Sequence, residues 1–297
     1  MNDLFLPTEA NGADLERRFG GLRRLYGDAG YARVRGARVA VVGLGGVGSW
    51  AVEALARSGV RSLVLVDLDH VSESNINRQI QALTSTLGLA KADALRRRIA
   101  DIHPGCAVQV VDDFASASNW PALLGNEPID ALIDACDQGH AKLALAAWAR
   151  ASQTPLVTVG AAGGKQAAQR VEVADLAEAT HDPLLAALRQ RLRRDGAPRH
   201  GVIGLRCVFS REPVALPAAT VDACAVGEIG EGSVPASASD KVKPEPSTDG
   251  SLNCHGYGSS VTVTATFGLV AAGELLRLLM ANASVRAAPP GQGRLAK

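Results

Sequence analysis

Aromatic side chains are scarce in this 297-residue chain: five Phe, three Trp and three Tyr make up 4% of it. A surface that stacks several splayed bases is therefore poorly supplied, unless Tyr26, Tyr31 or Tyr257 contributes. The five cysteines, Cys106, Cys136, Cys207, Cys224 and Cys254, are odd in number, and no two stand as a CxxC pair. That argues against a zinc ribbon and against a secreted disulfide framework. Charge of one sign is missing too: 31 Lys and Arg against 30 Asp and Glu leave a formal net charge of +1, with no global attraction to nucleic acid. The first residues carry acids and no cationic apolar signal, so cytoplasmic residence is expected. Only residues 261–280 have the length and apolarity of a membrane span. Thr262, Thr264 and Thr266 alternate there with Val261, Val263 and Ala265, which predicts a strand leading into a buried helix instead, and no membrane. No internal repeat is present.

What is there begins with a βαβ unit. Residues 39–42 form a continuous apolar run that suits a strand buried on both faces, and Gly43-Leu44-Gly45-Gly46-Val47-Gly48 follows directly. Val47, Ala51, Ala54, Leu55 and Ser58 recur at helical spacing, Gly59 is placed to stop the helix, and residues 63–66 read as the second strand. Gly43 permits a tight turn, Gly45 lets phosphate oxygens approach the backbone, and Gly48 permits close helix packing. The helix N-terminus offers N–H groups and positive dipole to an anion. Asp67, at the end of the second strand, is placed to accept ribose hydroxyl hydrogen bonds.

The residues after Asp67 distinguish the nucleotide. Asp69, Asn75 and Arg78 crowd the presumed ribose with hydrogen-bonding groups, and Lys91, thirteen residues beyond Arg78, opens an amphipathic helix. An Arg and a Lys beside a polyphosphate neutralise the charge that develops when its α-phosphorus is attacked. Hydride transfer has no such need. A further strand, residues 129–133, runs into Asp134-Ala135-Cys136-Asp137, and Asp137 reads either as a carboxylate for a phosphate-bridging cation or as the cap of a helix over 138–151.

This pattern resembles the ubiquitin-activating-like (ThiF-type) adenylating enzymes, which convert a carboxylate and ATP into an acyl-adenylate and pyrophosphate. The resemblance implies that Asp67 binds ribose, that Asn75, Arg78 and Lys91 hold the triphosphate, and that Asp137 binds Mg. Seven ordered segments narrow it: Arg18-Phe19-Gly20-Gly21, Arg24-Leu25-Tyr26-Gly27, Asn77-Arg78-Gln79-Ile80, Gly88-Leu89-Ala90-Lys91, Val111-Asp112-Asp113-Phe114, Cys207-Val208-Phe209-Ser210 and Val263-Thr264-Ala265-Thr266-Phe267-Gly268. Together they are similar to the bacterial tRNA threonylcarbamoyladenosine dehydratases. That family implies ATP-dependent ring closure on a modified adenosine beside the tRNA anticodon. It also implies a homodimer, and allows a Na or K ion and a cysteine desulfurase or sulfur-acceptor partner. Where sulfur-carrier activators carry the second arginine of an RxxR motif, this chain has Gly21, with Arg18 and Arg24 nearby.

The remaining strands, 107–111 and 156–159, alternate with helices, so the fold class expected is α/β, a Rossmann-like doubly wound and largely parallel sheet. Residues 1–280 read as one adenylating domain, with an ATP-binding half over 18–160. A mixed, strand-rich half over 161–280 faces the substrate and contains a mobile loop at about 225–252. Residues 281–297 read as a disordered tail. Asp182-Pro183 opens a helix whose Leu185, Leu188 and Leu192 form an apolar stripe, leaving Arg189, Arg191, Arg193 and Arg194 towards solvent. With Arg17, Arg18, Arg23, Arg24 and with residues 96–98, these are candidate phosphate-backbone patches, or plain solvated faces.

Two other readings stay open: an adenylyltransferase acting on a ubiquitin-like sulfur carrier, and an NAD-linked or purely binding protein that kept the fold. Cys136 and Cys207 read as core packing, while Cys224 and Cys254 flank the polar loop where ubiquitin-type activators place a thioester cysteine. Ring closure needs no such thiol, because the attacking nitrogen is tethered to the activated carbonyl. Cys254→Ser should therefore retain ring closure within a few-fold; a folded but inactive Cys254→Ser protein would show the thiol to be chemically required.

Overall fold

Continuous apolar runs in this chain become strands buried on both faces. The computed structural model describes residues 13–215 and 257–281. Seven strands form one sheet: β1 (Arg38–Val42), β2 (Ser62–Val66), β3 (Ala107–Val111), β4 (Ala131–Asp134), β5 (Leu156–Val159), β6 (Val171–Asp175) and β7 (Arg206–Ser210). Their order is β3-β2-β1-β4-β5-β7-β6, and every pairing is parallel except β6 with β7. The α/β doubly wound expectation holds.

Side-chain alternation divides the core. Val39, Val41, Leu63, Leu65 and Ile133 face one layer, where α3 (Gly48–Arg57) and α7 (Val261–Ala281) pack. Ala40, Val42, Val64, Val66 and Leu132 face the other, against α5 (Gly139–Ser152) and α6 (Pro183–Arg194). Each fully buried Val or Leu contributes roughly 1.5–3 kcal/mol of transfer free energy, so these continuous runs hold the sheet between its two layers. Two helices precede the sheet, the short α1 (Leu15–Phe19) and the longer α2 (Gly21–Gly36), and α4 (Lys91–Ile102) lies between β2 and β3.

Several expectations are corrected. The strand read at 129–133 starts two residues later and includes Asp134. The strand expected from Val261 is helix throughout: Val263, Phe267, Ala271, Leu275 and Leu279 are buried at four-residue spacing, and Thr266 Oγ1 donates to Thr262 O at 2.7 Å. Packing on α3 and the sheet selects that period over the local Thr alternation, and internal bonding satisfies the hydroxyl. α7 is long and apolar enough to cross a membrane, but it packs into the core. Among its described residues the half after Gly160 holds only two strands, β6 and β7, beside α6 and α7. Asp182 caps α6 as expected, accepting from Leu185 N at 2.9 Å, and Leu185, Leu188 and Leu192 are buried. The arginines of that helix are less exposed than expected: Arg189 donates to Leu176 O and Ala179 O, and Arg191 and Arg193 are half-buried. Cys224, Cys254, the loop at 225–252 and the tail from 282 lie outside the described residues.

α7 touches α3 at Gly268, where a Cβ would lie 2.8 Å from Trp50 Cβ and 2.9 Å from Ala51 N. Gly273, five residues on and on another face of the helix, meets open space. The same substitution should therefore have opposite signs on one helix. Gly273→Ala should stabilise the fold by about 0.5–1 kcal/mol through helix propensity. Gly268→Ala should destabilise it by about 1–3 kcal/mol through overpacking, both measured by urea unfolding. Equal effects at the two sites would show that the α3–α7 contact is not tight.

Candidate active site

The C-terminal edge of β1 meets that of β4 where the strand order reverses, the place where open α/β sheets form a crevice. Gly43 leaves β1 with φ +85°, and its N–H donates to Val66 O at 2.9 Å. A Cβ there would lie 2.8 Å from the carbonyl of Ala135 and from Cys136 N, so the turns after β1 and β4 touch backbone to backbone. Gly48, the first residue of α3, has its α-carbon against the Gly43 carbonyl, which leaves no room for a side chain. Its packing role is to the turn, not to the strand. Gly45 faces open space, and no side chain caps α3. The helix N-terminus is thus available to an anion.

Asp67 follows β2 and is held by two backbone donors, Leu44 N at 2.6 Å to Oδ2 and Asp69 N at 2.9 Å to Oδ1. Burial pushes its carboxyl above the usual range, opposed by the Lys91 charge and by these two hydrogen bonds. Lys91 reaches the same place because residues 69–71 pair with 89–91: Val71 N donates to Leu89 O at 2.8 Å and Lys91 N to Asp69 O at 3.0 Å. Lys91 is 6% exposed, and its ammonium lies 2.6 Å from Asp69 Oδ2 and 3.9 Å from Asp67 Oδ1.

Arg78 lays its stem across Gly46, with Cγ and Cδ 3.3 Å from the position a Gly46 Cβ would take. Its Nη1 donates to Ser74 O at 2.6 Å and Asn77 Oδ1 at 2.9 Å. Asn75 is buried and caps its own turn, accepting from Ser72 N at 3.1 Å. Asp137 stands three residues beyond β4 and one before Gln138, the residue at the cap position of α5.

One cavity of about 380 Å³ is lined by Gly43, Gly45, Gly46, Asp67, Asp69, Arg78, Lys91 and Asp137. Asn75 lines an adjoining cleft shared with Gly45, Gly46, Asp69, Arg78 and Lys91. Of the ten residues singled out in the sequence, only Gly48 lies behind the cavity. The arrangement offers backbone N–H groups and two cations on one side and carboxylates at either end, which suits a nucleoside polyphosphate.

A model of the ThiF family matches residues 18–292. This chain belongs to the ThiF family. It is 41% identical over 272 residues to the tRNA threonylcarbamoyladenosine dehydratase of Escherichia coli K12, spanning 90% of this chain and 95% of that protein. Among solved structures it resembles the E. coli tRNA N6-threonylcarbamoyladenosine dehydratase TcdA in complex with ATP. The TM-score is 0.76 at 38% identity, covering 93% of this chain and 99% of the other. The AMP complex of the same protein matches with TM-score 0.75 and 39% identity, over 91% and 97% of the two chains.

In this ThiF-family chain the structure adds residues that spacing did not reveal. Asp113 and Phe114, just beyond β3, line the cavity, as do Gly160, Ala161, Ala162 and Gly163 after β5, and Pro183, Val214, Tyr257 and Thr264. Phe114 is 44% exposed, an apolar ring at the cavity mouth. Beneath the floor lies a buried ion pair, Lys142 Nζ to Asp134 Oδ2 at 3.0 Å, with Thr158 Oγ1 donating to the same oxygen at 2.7 Å. Burial is the largest single influence and pushes Lys142 down, but the charge and hydrogen bond of Asp134, with Cys136 and Asp182, together push it up, and the net direction is up. The only sequence signal was a lysine one turn before Leu145 on the apolar face of α5. Cys136 packs against the core as expected and also lines the cavity wall, half-buried, with its thiol donating to Asp134 Oδ1 at 2.9 Å. Burial and Asp134 raise its pKa well above the ordinary thiol value, so it stays protonated. Cys207 is buried as expected. Arg18 donates to Asp101 O and Ile102 O at the end of α4, away from the cavity, and Arg23, Arg96 and Arg98 pair with acids.

Asp67 sets a pH dependence. Its folded pKa lies above the unfolded value, so it favours the folded state at low pH, and that contribution is lost as pH rises through the folded pKa. In Asp67→Asn the loss is absent. The melting temperature of Asp67→Asn minus that of the parent should therefore move upward between about pH 4 and pH 7; a downward movement would mean that the two backbone donors outweigh burial.

Proposed function

We propose that this chain is an ATP-dependent tRNA threonylcarbamoyladenosine dehydratase that works through an acyl-adenylate. One observation carries the reading: Gly45, Asp67, Arg78, Lys91 and Asp137 line a single cavity in a chain that aligns over nine-tenths of its length with such a dehydratase. The threonylcarbamoyl carboxylate attacks the α-phosphorus of ATP, the α–β phosphoanhydride bond breaks, and pyrophosphate leaves. A nitrogen of the same side chain then attacks the acyl carbonyl, loses its proton, and AMP departs with the carboxylate oxygen. The nucleoside ends lighter by the elements of water, and tethering gives the second step its high effective molarity.

In this scheme Asp67 accepts from the ribose, the α3 N-terminus and Asn75 position phosphates, and Arg78 and Lys91 offset the charge that grows at the α-phosphorus. Magnesium is bound through one or two carboxylates plus substrate phosphates. The donor set fits, since Asp137 presents one carboxylate to the cavity and no cluster of three or more His, Cys, Asp or Glu among the described residues would cage a metal alone. Such an ion would offset phosphate charge. The same reading takes residues 1–280 as one adenylating unit, cytoplasmic and homodimeric, with tRNA as its partner. Neither step calls for an alkali ion or a sulfur-transfer partner.

Protein mixed with ATP, magnesium and tRNA bearing the modification should release AMP and give a nucleoside lighter by one water. Arg78→Ala and Asp137→Ala should each lower turnover by about 10²–10³-fold, as loss of transition-state charge stabilisation does. AMP release that requires a small ubiquitin-like carrier and ignores tRNA would instead establish the sulfur-carrier reading.

A further inference from the structure

The far wall of the cavity is held by a second buried lysine that neither nucleotide binding nor the proposed chemistry uses. Lys165 is 2% exposed. Its ammonium donates to three main-chain carbonyls: His181 O at 3.0 Å, Ser210 O at 3.4 Å and Glu212 O. Three carbonyl oxygens converging on one point form the kind of nest that elsewhere replaces the hydration shell of a monovalent cation. A lysine ammonium is a compact point charge with three donors, which matches three acceptors.

The nest is built at some conformational expense. His181 holds φ +57°, a left-handed value uncommon for a side-chain-bearing residue, in the turn that carries its carbonyl to Lys165. The next residue, Asp182, caps α6 through Oδ1 and accepts from Ala161 N at 2.8 Å through Oδ2. Glu212 accepts from Gln166 N at 3.0 Å and Ala167 N at 2.8 Å. Gly164, the residue before Lys165, accepts from Ala215 N at 2.8 Å and donates to Gly258 O at 2.9 Å. Three segments thus meet on this ammonium: residues 160–167, 181–185 and 210–215. All three supply cavity wall, through Ala161 and Gly163, Pro183 and Leu184, and Val214. Without a cation, three carbonyl dipoles of like orientation would face one another in a site closed to water, and the wall would have to open.

We propose that the Lys165 ammonium is a built-in monovalent cation that positions the substrate-facing wall, and that deleting its side chain converts this nest into a site for K⁺ or NH₄⁺. Lys165 is a positioning residue, since it touches carbonyls and not the reacting atoms. The activity measurement below rests on the dehydratase reading; the melting measurement does not.

The test compares the parent, Lys165→Ala and Lys165→Met in chloride salts of K⁺, NH₄⁺ and tetramethylammonium at equal ionic strength. Lys165→Ala should melt several degrees below the parent in tetramethylammonium and regain at least half of that loss in K⁺ or NH₄⁺, a salt response larger than the parent's. Lys165→Met, whose apolar chain fills the space, should lose stability and regain nothing. AMP release by Lys165→Ala should fall about 10- to 100-fold, as for wall residues moved by about an ångström, and recover with the same two cations. If the parent itself releases no AMP, the dehydratase reading fails while the melting comparison still decides the cation. Should Lys165→Ala be insoluble, refolding from denaturant replaces melting: recovery in K⁺ but not in tetramethylammonium supports the proposal. Identical behaviour of Lys165→Ala in all three salts, including equal failure to refold, overturns it, as does a Lys165→Met protein as stable and active as the parent.

Discussion

The contact between two turns, Gly43 against the Ala135–Cys136 peptide, sets the geometry above the sheet. It involves backbone on both sides, so it fixes the separation of the β1 and β4 exits more tightly than packed side chains would. The glycines and Asp137 are placed by it, because each leaves a strand or turn that the contact constrains, and Asp67 is tied to the first of those turns by Leu44 N. Beneath it, Lys142 ties Asp134 to α5, and Thr158 ties the same carboxylate to β5. Such a buried pair is a weak source of net stability, since desolvation offsets the attraction, but removing one partner leaves a costly charge in the core. Its effect is to hold β4, β5 and α5 in one arrangement at the reversal of strand order.

The near half of the cavity was legible in the sequence because it is local. Residues 39–91 form one continuous unit in which strand, turn, helix, strand and acid follow at fixed spacing, and even Lys91 is brought in by the short antiparallel pairing of 69–71 with 89–91. Spacing and turn chemistry picked out the glycines, Asp67 and Asp69, while the family resemblance assigned Asn75, Arg78, Lys91 and, beyond this unit, Asp137; nine of the ten candidates line the cavity or its cleft. The tenth, Gly48, obeys a packing constraint that the same fingerprint carries.

The far half was not legible, for a physical reason. Its wall comes from residues 113–114, 160–163, 183–184 and 257–264, which no local period connects. α7 misled because alternate threonines mimic a strand until burial at every fourth residue overrides them. The arginine clusters were legible in part. Arg17, Arg18, Arg23, Arg24, Arg97 and Arg194 are exposed, as a solvated face requires, whereas Arg189 binds carbonyls before α6 and Arg98 pairs with the buried Glu53. Pairing partners far away in sequence decide whether an arginine is surface or scaffold.

The two buried lysines that do not line the cavity divide the work between its walls. Lys142 meets a carboxylate under the nucleotide floor and Lys165 meets neutral carbonyls behind the substrate wall. The difference matters electrostatically. The floor pair is internally neutral and adds little field to the cavity, whereas the Lys165 charge is met only by dipoles, with Asp182 and Glu212 acting from further away. Burial lowers the Lys165 pKa, and those two acids oppose the shift. A chain with a net charge of +1 has no global field to draw in an anionic substrate, so attraction must come from charges fixed close to the cavity. Arg78 and Lys91 line it together, set in place before any ligand arrives, and Lys165 stands behind the far wall. Preorganised charge of this kind acts without reorganisation at the moment phosphate charge develops, which is the condition an adenylating site has to meet.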